Sequence, residues 1–230
     1  WQTGEVVSAD IETLEPMQIP GWAQARITPA DRPPATLAPS QLGGAKVIWQ
    51  PGVPTDDEDA KRRGTMVHRL LDILPALPRS QWQDTAQRMF AVGDAMATPD
   101  EIQDALADAT RVMDAADLQH IFTKDVLSEV DITASLPDLT GQRIAGAIDR
   151  LMIRPDRVLA IDFKTNAVVP DRAEATPDGL LRQMGAYQAA LETIYPDRHV
   201  ETAILWTRVP VLMVLPNDIV RAALRTTAIS

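Results

Sequence analysis

The stretch RVLAIDFKT, residues 157–165, constrains this chain more than any other segment. Side chains on a strand alternate between two faces, so Asp162 and Lys164 share one face while Ile161 and Phe163 take the other. Val158, Leu159, Ala160, Ile161 and Phe163 supply apolar groups to both faces, which predicts a central strand covered on both sides. A carboxylate and an ammonium on such a strand are costly unless something uses them. The alternative is an ion pair on an edge strand.

The preceding segment, GQRIAGAIDRLMI, reads as a second strand joined to the first by RPDR. A two-residue turn centred on Pro155–Asp156 suits proline at the first central position of a type I turn. Pairing outward from that turn puts Asp149 opposite Asp162, with Cβ atoms ~5 Å apart. Facing carboxylates repel, and a divalent cation between them, Mg²⁺ by its preference for oxygen ligands, relieves that repulsion. Lys164, one step along the same face, is placed to meet a phosphate or to lower the pKa of an attacking water.

Around this hairpin the chain is expected to be α/β, with helices, three strands, one helix and two strands in that order. Residues 1–55 hold eight of the 18 prolines and little periodicity, and read as an extended arm or linker. Residues 56–230 read as the domain proper, with a helical part over 56–123 and an α/β core over 124–230. Thr55 is the expected N-cap of the first helix, whose apolar face is Met66, Val67, Leu70, Leu71 and Leu74. Helices are expected over 80–97 and 99–118, then strands over 125–136, 141–153 and 157–165. A helix follows over 178–195, then strands over 201–207 and 209–216, and a terminal helix over 217–224 capped by Asn217.

Composition narrows the function classes. No apolar run reaches the length of a membrane span. There is no cysteine, so disulfides, thiolate zinc sites and cysteine-held iron–sulfur clusters are excluded, which suits a reducing cytoplasm. The net charge of −10 argues against a broadly DNA-coating surface but suits a site that gathers divalent cations. The opening WQTGEVV lacks an initiator Met, so a piece of a longer protein is expected.

GAIDRLMI and VLAIDFKTN together resemble the two acidic motifs of the RecB-like nucleases, within the restriction-endonuclease-like superfamily. RGTMVHRLLD resembles that family's upstream Gly-x-x-x-His helix, giving Gly64 and His68, and RQMGAYQAAL its downstream Gln-x-x-x-Tyr helix, giving Gln183 and Tyr187. These four motifs span residues 64–187. Within the family, APSQLGG and the C-terminal ILWTRVPVLMVLPNDIVRAAL resemble the C-terminal nuclease domains of AddA-type bacterial helicase–nucleases. Related AddB and CRISPR-associated nucleases carry a four-cysteine iron–sulfur cluster, for which this chain has no ligands.

The resemblance implies a restriction-endonuclease-like core, a mixed sheet flanked by helices. It implies metal held by His68, Asp149, Asp162 and the Phe163 backbone carbonyl, with Glu129 a further candidate. Asp149, Asp162, Lys164, Gln183 and Tyr187 are the implied catalytic residues. The implied metal is Mg²⁺, with Mn²⁺ as substitute. Bland readings stand beside these: His68 as a core histidine, Tyr187 as plain core, Glu129 as a solvent-facing residue on an edge strand. The implied activity is hydrolysis of single-stranded DNA in a double-strand-break repair complex, with an AddB subunit and the helicase part of the same protein as partners. The alternatives are a stand-alone exonuclease and a degenerate DNA-binding or assembly module.

Overall fold

The computed structural model describes residues 20, 36–48, 58–93 and 95–227. From residue 36 onward the described residues build a five-stranded mixed sheet with helices packed on both faces. Helix α1 (Glu58–Ile73) is followed by α2 (Trp82–Met89) and α3 (Pro99–Asp114). Strands β1 (Val126–Leu136), β2 (Gln142–Ile153) and β3 (Arg157–Lys164) come next, then α4 (Asp178–Ile194), β4 (His199–Trp206), β5 (Val211–Leu215) and α5 (Asn217–Arg225). The strands lie in sequence order across the sheet; all neighbours are antiparallel except β3 and β4, which α4 joins in parallel.

Both faces of β3 are buried, as its composition predicts. On one side Ile161 and Phe163 pack with Met66, Val67 and Leu70 of α1 and with α3. On the other, Val158 and Ala160 pack with Leu180, Met184, Ala190 and Leu191 of α4, and α5 extends this layer. A sheet between two helical layers is one of the few stable ways to bury two apolar sheet faces.

Local chemistry explains the element ends. Thr98 and Glu101 form a reciprocal capping box at the start of α3, with Pro99 in its first turn. The helix expected over 80–97 ends at Met89: Phe90 is buried, and the chain turns away at Gly93, whose φ is +85°. The helix expected to reach residue 118 stops at Asp114 and gives way to a 3₁₀ segment, Ala116–Phe122, which buries Leu118 and Ile121. Strand β4 begins two residues before the expected start and β5 two residues after it. Asn217 is not a cap: its side-chain amide donates to the Val200 carbonyl at 3.1 Å, and Pro216 holds the N-cap position. The Thr55 cap lies outside the described residues.

Within the stretch expected as an arm, residues 36–48 pack onto the domain. Leu37 bridges Ile144 of β2, Pro39 and Leu42 are buried, and the Ala45 carbonyl accepts the Gly179 amide at 2.8 Å. This strap takes up an amide that the first turn of α4 cannot satisfy itself. Gly179 is required by contact: a Cβ there would stand 2.7–2.8 Å from the carbonyl oxygens of Gly43, Gly44 and Ala45. Among the described residues no helix is long and apolar enough to cross a membrane.

Gly179→Ala is expected to push the strap off α4 and to destabilise the domain by about 1–3 kcal/mol, the usual range for overpacking. Urea denaturation of the two proteins checks this; equal midpoints would mean that the strap does not hold there.

Candidate active site

The site forms where the sheet comes apart. The hairpin turn falls as expected, with the Arg154 amide donating to the Arg157 carbonyl at 2.8 Å. The expected register holds from Ile153–Val158 to Arg150–Ile161, and pairing stops just before 149 and 162. There the Asp149 carboxylate itself accepts the Phe163 amide, Oδ2 at 2.5 Å, replacing the next backbone partner on β2. In extended chain the Phe163 carbonyl projects on that same edge, which β2 no longer covers. On the other side of β2 the ladder is also interrupted: Glu129 sits opposite Asp149 by register but is unpaired, with φ +48°. That left-handed conformation costs a non-glycine residue about 1–2 kcal/mol.

Asp162 is buried. Gln183 of α4 donates to its Oδ1 at 2.7 Å, and Lys164 Nζ pairs with its Oδ2. Burial raises the Asp162 pKa, opposed by Lys164 and reinforced by the Asp149 charge. His68, on α1, stands with Nδ1 3.4 Å from Asp149 Oδ1, an ion-pair contact, and its ring meets Phe163 edge-on at 5.5 Å. Burial pulls the His68 pKa down, and the Asp149 and Asp162 carboxylates more than offset this, so it lies above the ordinary value. Glu129 has a raised pKa, from partial burial first and then from Asp149 and Asp72.

Gly64 lets α1 approach. A Cβ there would lie 2.7 Å from Thr165 Oγ1, so the helix rests on the residue that follows Lys164. The close approach at this glycine is thus made by a side chain at the end of β3. Tyr187 is buried and donates to the Ala147 carbonyl at 2.7 Å, two residues before Asp149. Burial raises its pKa strongly. It meets Gln183 at 3.4 Å and has no hydrogen bond to either carboxylate.

His68, Asp149, Asp162, Lys164 and Gln183 therefore meet at one place, and a cleft of about 1110 Å³ opens beside them. Its lining includes His68, Glu129, Phe163 and Lys164. It also includes Asp72, Arg69 and Lys61, which the sequence reading did not single out. Their signal was present: 61, 65, 68, 69 and 72 recur at helical spacing on the Gly64–His68 face. Arg150 was missed too. It is buried, donates from Nη2 to the Leu71 carbonyl of α1 at 2.5 Å and lies over the Phe122 ring at 5.4 Å. Burial lowers its pKa.

A divalent cation suits the donors, which are hard carboxylate oxygens and one imidazole with no competing thiolate. Among the described residues, no three His, Asp or Glu side chains already converge as a metal-binding group. The Asp162 oxygens are held instead by Lys164 and Gln183, and Asp149 Oδ2 by the Phe163 amide.

A family profile described as the PD-(D/E)XK nuclease superfamily matches residues 42–214. Asp162–Phe163–Lys164 carries the Asp-x-Lys of that name, and Asp149 fits its first acid, with Ile148 where the name has proline. The strap from Leu42, the lining of the cleft apart from Ser40, and all five strands but the last residue of β5 fall inside the match. No curated protein matches the chain. A solved structure described as "Crystal structure of SSO0001" is 14% identical, with a TM-score of 0.31, covering 72% of this chain and 81% of that one. So distant a likeness adds nothing to the argument. The α/β sheet with helices on both faces is the restriction-endonuclease-like fold, and the chain belongs to the PD-(D/E)XK nuclease superfamily.

Proposed function

We propose that this chain hydrolyses phosphodiester bonds in single-stranded DNA with Mg²⁺, for which Mn²⁺ can substitute. The observation that carries the reading is the meeting of His68, Asp149, Asp162 and Lys164 beside one open cleft, in a chain whose superfamily is one of nucleases. Nucleases of this superfamily generally use divalent metals. In this reading Asp149, Asp162, His68 and the Phe163 carbonyl hold the cation, with Glu129 on the opposite strand as a further ligand. When bound, it supplies Lewis-acid polarisation of a phosphoryl oxygen and neutralises developing charge.

The chain's own residues do the rest. Lys164 leaves Asp162 Oδ2, which frees that oxygen and turns Nζ toward the reacting phosphate, where it stabilises transition-state charge. Gln183 keeps Asp162 oriented through Oδ1, limiting the freedom the freed carboxylate would otherwise gain. Tyr187 acts one step away, fixing β2 through the Ala147 carbonyl. The wider setting proposed is the nuclease module of an AddA-type ATP-dependent helicase–nuclease that processes double-strand breaks in the cytoplasm. Its partners there would be an AddB subunit and the motor part of the same protein. The Pro39–Leu42 lead-in and the lack of cysteine support this setting. The complete Asp…Asp-x-Lys set speaks against a degenerate binding module.

The test is cleavage of a labelled single-stranded oligonucleotide with and without Mg²⁺. Asp162→Asn is expected to lower the rate by at least about 10²-fold and Lys164→Ala by about 10²–10³-fold, the range seen when a charge-stabilising group is removed. Asp162→Asn keeps an acceptor for Gln183 and removes the repulsion from Asp149, but it takes the carboxylate from Lys164, so stability should fall while the chain stays folded by circular dichroism. Wild-type cleavage by either variant would sink the assignment.

His68→Ala is expected to weaken Mn²⁺ binding by about tenfold in calorimetric titration and to slow cleavage in parallel. Unchanged affinity would leave His68 a packing residue against Phe163. Tyr187→Phe leaves the half-buried Ala147 carbonyl without its side-chain donor and should cost about 1 kcal/mol of stability, while cleavage at saturating Mg²⁺ changes little. A large fall in rate with unchanged stability would instead give its hydroxyl a direct catalytic part.

A further inference from the structure

The cleft has an end that the proposed chemistry does not use. Ile73 closes α1 and Met89 closes α2, and both line the cleft. Ile73 has 39% of its surface exposed and Met89 is half-buried, so two helices leave apolar surface open in one wall. Asp72 precedes Ile73 and lines the same cleft. It lies one helical turn beyond His68, about 6 Å along the axis, so this end is within reach of a nucleotide whose phosphate sits at the reacting residues. Resting on the nuclease reading, we propose that Ile73, Met89 and Asp72 form a seat for one nucleobase of the single strand, beside the scissile phosphate, and that the seat selects a base carrying an exocyclic amine, cytosine before uracil or thymine.

Charge keeps the backbone away from this end. Asp72 and Glu129 both line the cleft, close enough for the Asp72 charge to act on Glu129. A phosphate here would meet two carboxylates, and like charges at such range repel. A base is neutral and offers two apolar faces. The cleft also has room for it: at about 1110 Å³ it matches sites that take a whole organic ligand, well beyond what a phosphodiester and a cation fill. Methionine suits a flat ring, because its unbranched thioether adapts to the ring and makes a favourable sulfur–aromatic contact. No phenyl or indole ring is exposed in the described lining, Phe163 having 2% of its surface open, so contact with a base face falls to these aliphatic groups.

Asp72 supplies the choice among bases. It is half-buried and makes no hydrogen bond or ion pair with a described residue. Its charge acts on Arg150, but the Arg150 hydrogen bond goes to the Leu71 carbonyl. Asp72 is therefore an open acceptor in the wall. A carboxylate accepts from the N4 amine of cytosine. Uracil and thymine carry a carbonyl at that position, which a carboxylate repels.

The experiment uses the whole 230-residue chain and two fluorescently labelled single strands of equal length, one of dC and one of dU, whose bases match in size. In the Mg²⁺ assay kcat/KM should favour dC by about tenfold, the worth of one hydrogen bond to a charged group. Asp72→Asn turns the acceptor into a group that also donates. It should bring the ratio to about one, or reverse it, while Mn²⁺ affinity in calorimetric titration stays at the wild-type value. Ile73→Thr with Met89→Gln should raise KM about fivefold on both strands and keep the ratio. Circular dichroism checks that the variants fold; where the double variant does not, the Asp72→Asn ratio decides alone. Equal wild-type rates on the two strands, an unchanged ratio in Asp72→Asn, or an unchanged KM in the folded double variant would overturn the seat. A loss of Mn²⁺ affinity in Asp72→Asn would overturn it too, by making Asp72 a metal ligand. Should the wild type cleave neither strand at any Mg²⁺ concentration, the nuclease reading fails, and anisotropy in EDTA decides the seat by itself. Tighter binding of dC, lost in Asp72→Asn, then upholds the seat, and equal binding of the two strands defeats it.

Discussion

Everything at this site depends on one side chain taking the place of a backbone partner. Asp149 accepts the Phe163 amide with Oδ2, and β2 and β3 part at that point. A sheet that stayed paired would bury the backbone edge of Phe163 and leave no opening between the strands. Because it parts, the Asp149 Oδ1 oxygen faces His68 from α1, and the Phe163 edge is open toward the same space. The distortion reaches β1 as well, where Glu129 takes a left-handed conformation opposite Asp149. Strain of this kind persists only where the surroundings impose it, and it gathers at functional positions.

The surroundings are two polar ties to β2, one on each side of Asp149. From the α4 layer, Tyr187 holds the Ala147 carbonyl. From the α1 layer, Arg150 reaches back to the Leu71 carbonyl, three residues past His68. The Arg150 tie is buried and the Tyr187 tie partly so, and in such surroundings losing a partner is expensive and a made hydrogen bond is strong. Gln183 adds a third, from α4 to Asp162 on β3. The two helical layers thus grip the two acidic strands from opposite faces, and the gap between the strands is held open rather than left slack.

Much of this was legible in the sequence, and the reasons are specific. The two-sided apolar pattern of residues 157–165 forces a central strand, and Pro155–Asp156 fixes the turn, so the register from 153–158 to 150–161 follows. Periodicity located α1 and α4, and it was the resemblance of their motifs to those of the RecB-like nucleases that implied His68, Gln183 and Tyr187 belong with the hairpin. What escaped depends on long-range contact. No local signal tells that Asp149 replaces a ladder bond, that Arg150 reaches α1, or that Tyr187 serves a carbonyl of β2. Helix ends escaped where tertiary packing overrode propensity, as when Phe90 turns inward and the chain leaves the helix at Gly93. The proline content of residues 36–48 suggested an arm, yet buried Pro39 and Leu42 and the Gly179 contact tie that piece to the domain.

That strap also gives the site a mechanical connection. The Asn166 side-chain amide donates to the Lys46 carbonyl at 2.8 Å, and Asn166 lies two residues beyond Lys164. The Ala45 carbonyl takes the Gly179 amide in the first turn of α4, the helix that carries Gln183 and Tyr187. Ser40 stands in the wall of the cleft itself. A displacement of the strap would therefore act at three points at once: on the loop that ends the Asp-x-Lys strand, on the helix that orients Asp162, and on the cleft's shape. Packing this tight is not continuously deformable, so such a displacement would move these parts together rather than one by one. The geometry of the reacting residues is thus set from outside the hairpin as well as within it, by thirteen residues that contribute no side chain to the chemistry.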